Sequence, residues 1–159
     1  MVAMPALDQA VLGRRADIVG ALRAIVPGEG VIDSEIGMRP FESDGLTAYR
    51  QLPMVVVLPE TTEQVSRILR YCHEHGVKVV PRGAGTSLSG GALPLGDGVL
   101  LGLSKFNRIL EVDFPNRAVV AQPGVTNLGI SDAVAGRGFY YAPDPSCLLY
   151  TSPSPRDRS

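Results

Sequence analysis

The chain has 159 residues, of which 45% are hydrophobic and 19% charged, and its formal charge is −1. That make-up excludes a disordered chain, and a charge so close to zero gives no electrostatic footprint for nucleic acid or an anionic membrane. No stretch approaches the roughly 18 apolar residues of a spanning helix, and no basic segment followed by an apolar core opens the chain. The expectation is a cytoplasmic protein about one domain long, with no nucleic-acid partner and no direct membrane insertion.

In chain order, Ile18, Leu22 and Ile25 recur at helical spacing between Arg14 and Val26, with Val11 one heptad earlier. Pro27-Gly28 stops this amphipathic helix. Asp33 to Arg50 has little periodicity and several turn formers and reads as an ordered loop. Its Arg39, Asp44, Tyr49 and Arg50 are either ligand contacts or solvated, mutually paired surface groups. Met54 to Leu58 is a continuous apolar, β-branched run, which predicts a strand covered on both faces. Thr61 with Gln64 forms a capping box for a helix to His75, whose stripe is Val65, Ile68, Leu69 and Cys72, and Gly76 stops it. Val77 to Val80 is a second strand, so strand, helix and strand predict a right-handed βαβ crossover. Cys72 belongs to the stripe as a core residue. His73 and His75 point in different directions on the helix and read as cations near its C-terminus, so no metal site is expected.

The segment Pro81-Arg82-Gly83-Ala84-Gly85-Thr86-Ser87-Leu88-Ser89-Gly90-Gly91 follows. It is too rich in glycine for a helix or strand, and it leaves the carboxyl end of the second strand, the edge where open α/β sheets bind ligands. Glycine permits positive φ and close approach to main-chain N–H groups, and the hydroxyls of Thr86, Ser87 and Ser89 add donors. Successive inward N–H groups form a concavity for an anion, most often phosphate, and each charge-assisted bond is worth on the order of 1.5–3 kcal/mol. A plain Gly/Ser surface loop is the alternative on residue types alone. A P-loop is excluded because no lysine lies between Pro81 and Gly91. The G-x-G-x-x-G fingerprint of dinucleotide-binding βαβ units is excluded as well. Its third glycine would fall at Leu88, and Gly90, Gly91, Pro94, Gly96 and Gly98 bar a following helix.

Val99 to Leu103 predicts a third strand. Ile109 to Asp113 and Ala118 to Gln122 flank Phe114-Pro115-Asn116-Arg117 as a hairpin. Pro123-Gly124 turns the chain into a helix capped by Thr126 and ending at Gly136. Tyr141-Ala142-Pro143-Asp144-Pro145-Ser146 is a stiff turn that either lines a flavin or ribose site or is plain surface. Residues 147–159 break abruptly with what precedes them and resemble the translation of a sequencing-library adapter. They are expected to be a non-native tail, and are left out of the fold reasoning. Without the tail's two arginines and one aspartate the charge is −2, and Cys72 is the sole cysteine, so no disulfide framework is expected.

Four motifs in order carry a family resemblance. They are Val55-Val56-Val57-Leu58-Pro59 with its helix, the loop from Arg82 to Ala92, Gln122-Pro123-Gly124-Val125, and Tyr141 to Ser146. Together they resemble the FAD-binding domain of the vanillyl-alcohol-oxidase (PCMH) type. The stretch Arg39 to Arg50 is similar to the FAD subunits of bacterial glycolate oxidases, with D-lactate dehydrogenases as relatives. The resemblance implies an α+β, two-subdomain FAD module truncated after its first part. It comprises an N-terminal helix and loop segment over 1–52, an incomplete FAD-binding domain over 53–146, and the tail.

The resemblance also implies that the loop holds the FAD pyrophosphate. Arg82, Gly83, Ala84, Gly85, Thr86, Ser87, Ser89 and Gly90 would bind the cofactor, with Gly124, Pro143, Asp144, Pro145 and Ser146 near the flavin ring or ribityl chain. The implied reaction is flavin-dependent oxidation of a small 2-hydroxy acid, with electrons passing to another subunit or acceptor. The family's second flavin segment and its catalytic residues would follow Ser146, so no catalytic residue is assigned here. This chain alone is expected to bind FAD weakly and not to turn over. The alternatives are a nucleotide-binding module without redox activity and another flavoenzyme of the same fold.

Overall fold

The computed structural model of the chain describes residues 5–142, which divide into two compact units between Phe106 and Asn107. The first unit is built on one sheet. Two short helices, α1 (Gln9–Gly13) and α2 (Arg15–Ile25), precede β1 (Val31–Ile32) and α3 (Glu35–Met38). They are followed by β2 (Val55–Val57), α4 (Thr62–Glu74), β3 (Lys78–Arg82) and β4 (Gly98–Gly102). The strand order is β1-β2-β4-β3, with β1 antiparallel to β2 and the other pairs parallel.

The predicted helix is α2, and Val11, one heptad earlier, lies on the separate α1. Asp8 caps α1 by accepting from the N–H groups of Ala10 and Val11, and the chain breaks at Arg14 with φ −100° before α2. The guanidinium of Arg14 crosses to the His75 carbonyl at 3.1 Å, at the end of α4. The α4 caps are as the sequence predicts: Thr61 Oγ1 accepts from Gln64 N–H at 3.2 Å, and Gly76 takes φ +66° just beyond the last turn. Gln64 reaches back to the N–H of Glu60 instead of that of Thr61. Of the expected stripe, Ile68 and Cys72 are fully buried and Leu69 stays 45% exposed.

Strand, helix and strand are parallel as expected, but β3 is not the neighbour of β2. The more apolar β4, buried at all five residues, pairs with both and takes the middle of the sheet. Both faces are covered, as a continuous apolar strand requires. On one, Val55, Val57, Val99 and Leu101 pack with Ile18, Leu22 and Ile25 of α2 and Ile68 and Cys72 of α4. On the other, Val56, Val80 and Leu100 pack with Met38, Phe41 and Leu52. The segment predicted as a loop over Asp33–Arg50 is therefore the second cover, with α3 and a 3-10 turn at Arg39–Phe41 inside it. The strand β1 at its start was not predicted, since two residues carry no periodicity.

Asp97, 2% exposed, ties the N-terminus to the sheet by accepting from the Asp8 N–H at 2.8 Å and Lys78 Nζ at 2.7 Å. Burial pushes its carboxyl up. The Lys78 ammonium, the Asp8 N–H and its own N–H pull it down by more, so it titrates below the ordinary Asp value. A carboxylate with a lowered folded pKa contributes stability that is present above the unfolded value and lost as pH falls through the folded one. Asp97→Asn is therefore expected to cost about 1–2 kcal/mol at neutral pH, a figure limited by the half-exposed Lys78. The gap from wild type should close below about pH 4, which denaturant melts at several pH values would show. A gap unchanged down to pH 3 would rule the ionic tie out.

The second unit holds the predicted hairpin, β5 (Ile109–Asp113) antiparallel to β6 (Ala118–Ala121), and helix α5 (Asn127–Ala135). The Asp113 carboxylate receives the N–H and Nδ2 of Asn116 at 3.0 and 2.6 Å, and these bonds hold it below the ordinary Asp value. Arg117 takes φ +53° to close the turn. Thr126 caps α5 through Gly129 N–H at 3.0 Å, as predicted.

Candidate cofactor-binding loop

β3 ends at Arg82, and the chain does not re-enter the sheet until Gly98. Gly85 and Gly90, each at φ +76°, turn the intervening loop back on itself. The far limb is internally bonded, with Gly91 N–H on Ser87 Oγ at 3.2 Å and Leu93 N–H on the Gly90 carbonyl at 3.2 Å. Among the described residues, no acceptor is paired with the main-chain N–H of any residue from 83 to 90. Nothing stands within 4 Å of where a side chain on Gly83 would begin, and Thr86 and Ser89 are exposed. A run of uncommitted N–H donors around two left-handed glycines fits a diphosphate, and it needs no lysine to do so.

The floor under this loop comes from the N-terminal segment, which sequence reading placed only as loop. Asp44, 5% exposed, accepts from Leu46 N–H at 3.0 Å with one oxygen and from Ala92 N–H at 3.3 Å with the other. Leu46 N–H also donates to the Ser87 carbonyl at 3.1 Å. Gly45 lies so close that a Cβ there would stand 2.8 Å from the Thr86 carbonyl oxygen. Asp44 is thus neither a ligand contact nor a solvated group but a buried clasp between two loops. The Asp-Gly pair, whose side chain bonds the N–H two residues on, was the available signal for it. The other three candidates of that stretch stay outside the clasp. Arg39 pairs with Glu35 at 3.1 Å and Arg50 with Glu42 at 3.5 Å, both at the surface, and Tyr49 is half-buried.

Arg82 is 9% exposed. Its Nη1 donates to the Ser43 carbonyl at 2.7 Å and the Ala92 carbonyl at 3.4 Å, and its Cζ lies 5.8 Å from the centre of the Phe41 ring. The Ser87 hydroxyl is engaged with Gly91 and remains able to donate its own proton. Gly124 lies in the second unit, inside the turn closed by Val125 N–H on the Gln122 carbonyl at 3.1 Å. Pro143, Asp144, Pro145 and Ser146 lie outside the described residues.

Elsewhere the chemistry is quiet. Burial pushes the Cys72 thiol up to about 11, which suppresses the reactive thiolate. The His75 ring stacks on Tyr71 at 4.1 Å with Nδ1 2.8 Å from the Tyr71 carbonyl. Among the described residues no three His, Cys, Asp or Glu side chains gather as a metal site. The second unit has a cavity of about 570 Å³ between hairpin and helix, lined mainly by apolar groups such as Val112, Phe114, Ile130 and Val134. The loop is an open main-chain surface instead, and its donors, not its enclosure, single it out.

A glycine loop with uncommitted main-chain N–H groups leaves the carboxyl end of β3, with neither P-loop lysine nor dinucleotide fingerprint, and this fits an α+β nucleotide-binding domain of a separate type. The chain belongs to the FAD binding domain family, whose model matches residues 53–152, and FAD is the cofactor of that family. It is 51% identical over 138 residues to the glycolate oxidase subunit GlcD of Escherichia coli strain K12, covering 87% of this chain and 28% of that protein. It is 39% identical over 132 residues to GlcD of Bacillus subtilis strain 168, covering 83% and 28%. Among solved structures, 4-ethylphenol oxidase from Gulosibacter chungangensis matches with a TM-score of 0.71 at 24% identity, covering 86% of this chain and 27% of that one. That likeness shows the fold, which is the expected α+β vanillyl-alcohol-oxidase type. The chain spans under a third of the length of the curated relatives it matches.

Proposed function

We propose that the chain is the N-terminal FAD-binding part of a flavin-dependent 2-hydroxy-acid oxidoreductase of the glycolate or D-lactate kind, with the FAD pyrophosphate on the loop Arg82–Gly91. The run of uncommitted N–H groups from 83 to 90 carries the cofactor half of this reading. The 51% identity to a glycolate oxidase subunit carries the substrate half. Bound flavin supplies the two-electron acceptor for oxidation of the carbinol carbon. The residues of this chain bind and orient it: the loop amides neutralise the diphosphate, Thr86, Ser87 and Ser89 add hydroxyl donors, and Asp44 holds the loop against its floor. No residue of the chain is assigned a catalytic role. Further subunits or a separate electron acceptor complete the enzyme, which works in the cytoplasm or at its face of a membrane complex. Among the described residues no helix is long and apolar enough to cross a membrane.

The test is a chimera in which residues 5–142 replace the matching segment of E. coli GlcD, produced with that enzyme's other subunits. The expected result is retained FAD and bleaching of its visible absorbance by glycolate or D-lactate under anaerobic conditions. A folded chimera that keeps FAD and is bleached by no 2-hydroxy acid would favour a nucleotide-binding module without redox activity.

A further inference from the structure

Arg82 is a buried cation with more than half of its N–H donors unspent. Nη1 is committed to the carbonyls of Ser43 and Ala92, whereas Nε and Nη2 have no acceptor among the described residues. No carboxylate there lies within ion-pair reach, since Asp44, the buried acid that shares Ala92 with it, gives its oxygens to two N–H groups. No buried side-chain nitrogen or oxygen among the described residues lacks a partner, so the unpaired Nε and Nη2 keep access to solvent and stand open to an anion.

The position of the free edge says what that ion is. A Cβ built on Gly85 would collide with Nη2 and Cζ and stand 2.7 Å from Nε, so the unspent edge lies directly against the glycine at the bend of the loop. This planar fork therefore stands beside the stretch of loop whose N–H groups are uncommitted. A guanidinium edge offers two parallel donors that match two oxygens of a phosphate.

We propose that Arg82 is the buried counter-cation of the ligand's diphosphate. Its Nε–Nη2 edge takes phosphate oxygens across Gly85 while Ser43, Ala92 and Phe41 hold its other edge in place. This rests on the reading of the loop as a pyrophosphate site and adds to it a charge that main-chain amides do not supply. Specificity follows from the charge: diphosphate-bearing flavin is retained, and riboflavin, which has no phosphate, gains nothing from Arg82.

The experiment follows the isotope-labelled chain by NMR, which reads weak binding, during titration with sodium pyrophosphate, FAD or riboflavin. In the wild-type chain the amide signals of residues 83–90 and the Arg82 side-chain Nε–H signal are expected to move together with pyrophosphate and FAD, with one affinity. Arg82→Met should weaken both ligands by about 10- to 100-fold, the worth of a hydrogen bond to a charged group. Arg82→Lys should restore part of the loss, and riboflavin should bind all three proteins alike. Loop amides that shift while the wild-type Arg82 Nε–H signal stays still would overturn the proposal, even if Arg82→Met does not fold. So would a folded Arg82→Met chain that binds pyrophosphate as tightly as wild type. If neither loop amides nor Arg82 respond to either phosphate ligand, the pyrophosphate reading itself fails and this inference falls with it.

Discussion

Gly85→Val is expected to remove FAD and pyrophosphate binding while leaving the first unit folded. Two independent effects act at one position. The φ of +76° is a conformation that a β-branched residue adopts only under strain of about 1–3 kcal/mol. In addition, the new Cβ would occupy the space of the Arg82 guanidinium, so either the loop lifts or the arginine leaves its seat on Ser43 and Ala92. Each outcome misplaces several N–H donors at once, and a loss of about 100-fold or more in affinity is the consequence. The sheet and α4 bury a core to which the loop contributes no residue from 83 to 91, so the backbone amide spectrum of β2, α4 and β4 should stay dispersed. Undiminished FAD binding by Gly85→Val would count against the loop as the pyrophosphate site.

The largest loss of stability is expected from Ile68→Ala. Ile68 is fully buried where α4 lies on the sheet, within the cluster that contains Val55, Val57, Val99 and Leu101. Truncating a buried isoleucine removes its transfer energy and leaves a cavity, together about 2–5 kcal/mol. For a unit of this size that is a fall in Tm of at least about 10 °C. The neighbouring Leu69, 45% exposed, serves as the control, because Leu69→Ala leaves almost no cavity. Thermal melts of the two variants compare them directly. Equal losses would mean that α4 packs through a different face.

How far the sequence could be read follows from the range of the interactions involved. The caps of α4 and α5 and the hairpin turn are local chemistry, and Thr61, Gly76, Thr126 and the Phe114–Arg117 turn do what their types predict. The glycine loop was legible as a loop for the same reason, since its turns at Gly85 and Gly90 are set by its own main chain. What escaped was non-local. β4 enters between β2 and β3 because its all-buried run competes best for the centre of the sheet, and no feature of β2 or β3 announces that. Asp44 looked like a surface acid because its second partner, Ala92, lies 48 residues away. Arg82 was picked as a loop residue from its motif, but its burial, its seat on Ser43 and Ala92 and its free edge depend on the floor that residues 41–46 provide. The family match begins at residue 53, so that floor lies outside it, and its residues were read as an ordered loop without its contacts to the glycine loop.

The central claim is that a diphosphate rests on the amides of residues 83 to 90, and an experimental structure with FAD bound tests it most directly. The account predicts phosphate oxygens within about 2.7–3.2 Å of several of those N–H groups, with Gly85 and Gly90 keeping positive φ. A structure in which the diphosphate lies elsewhere and the loop touches no part of FAD would contradict it.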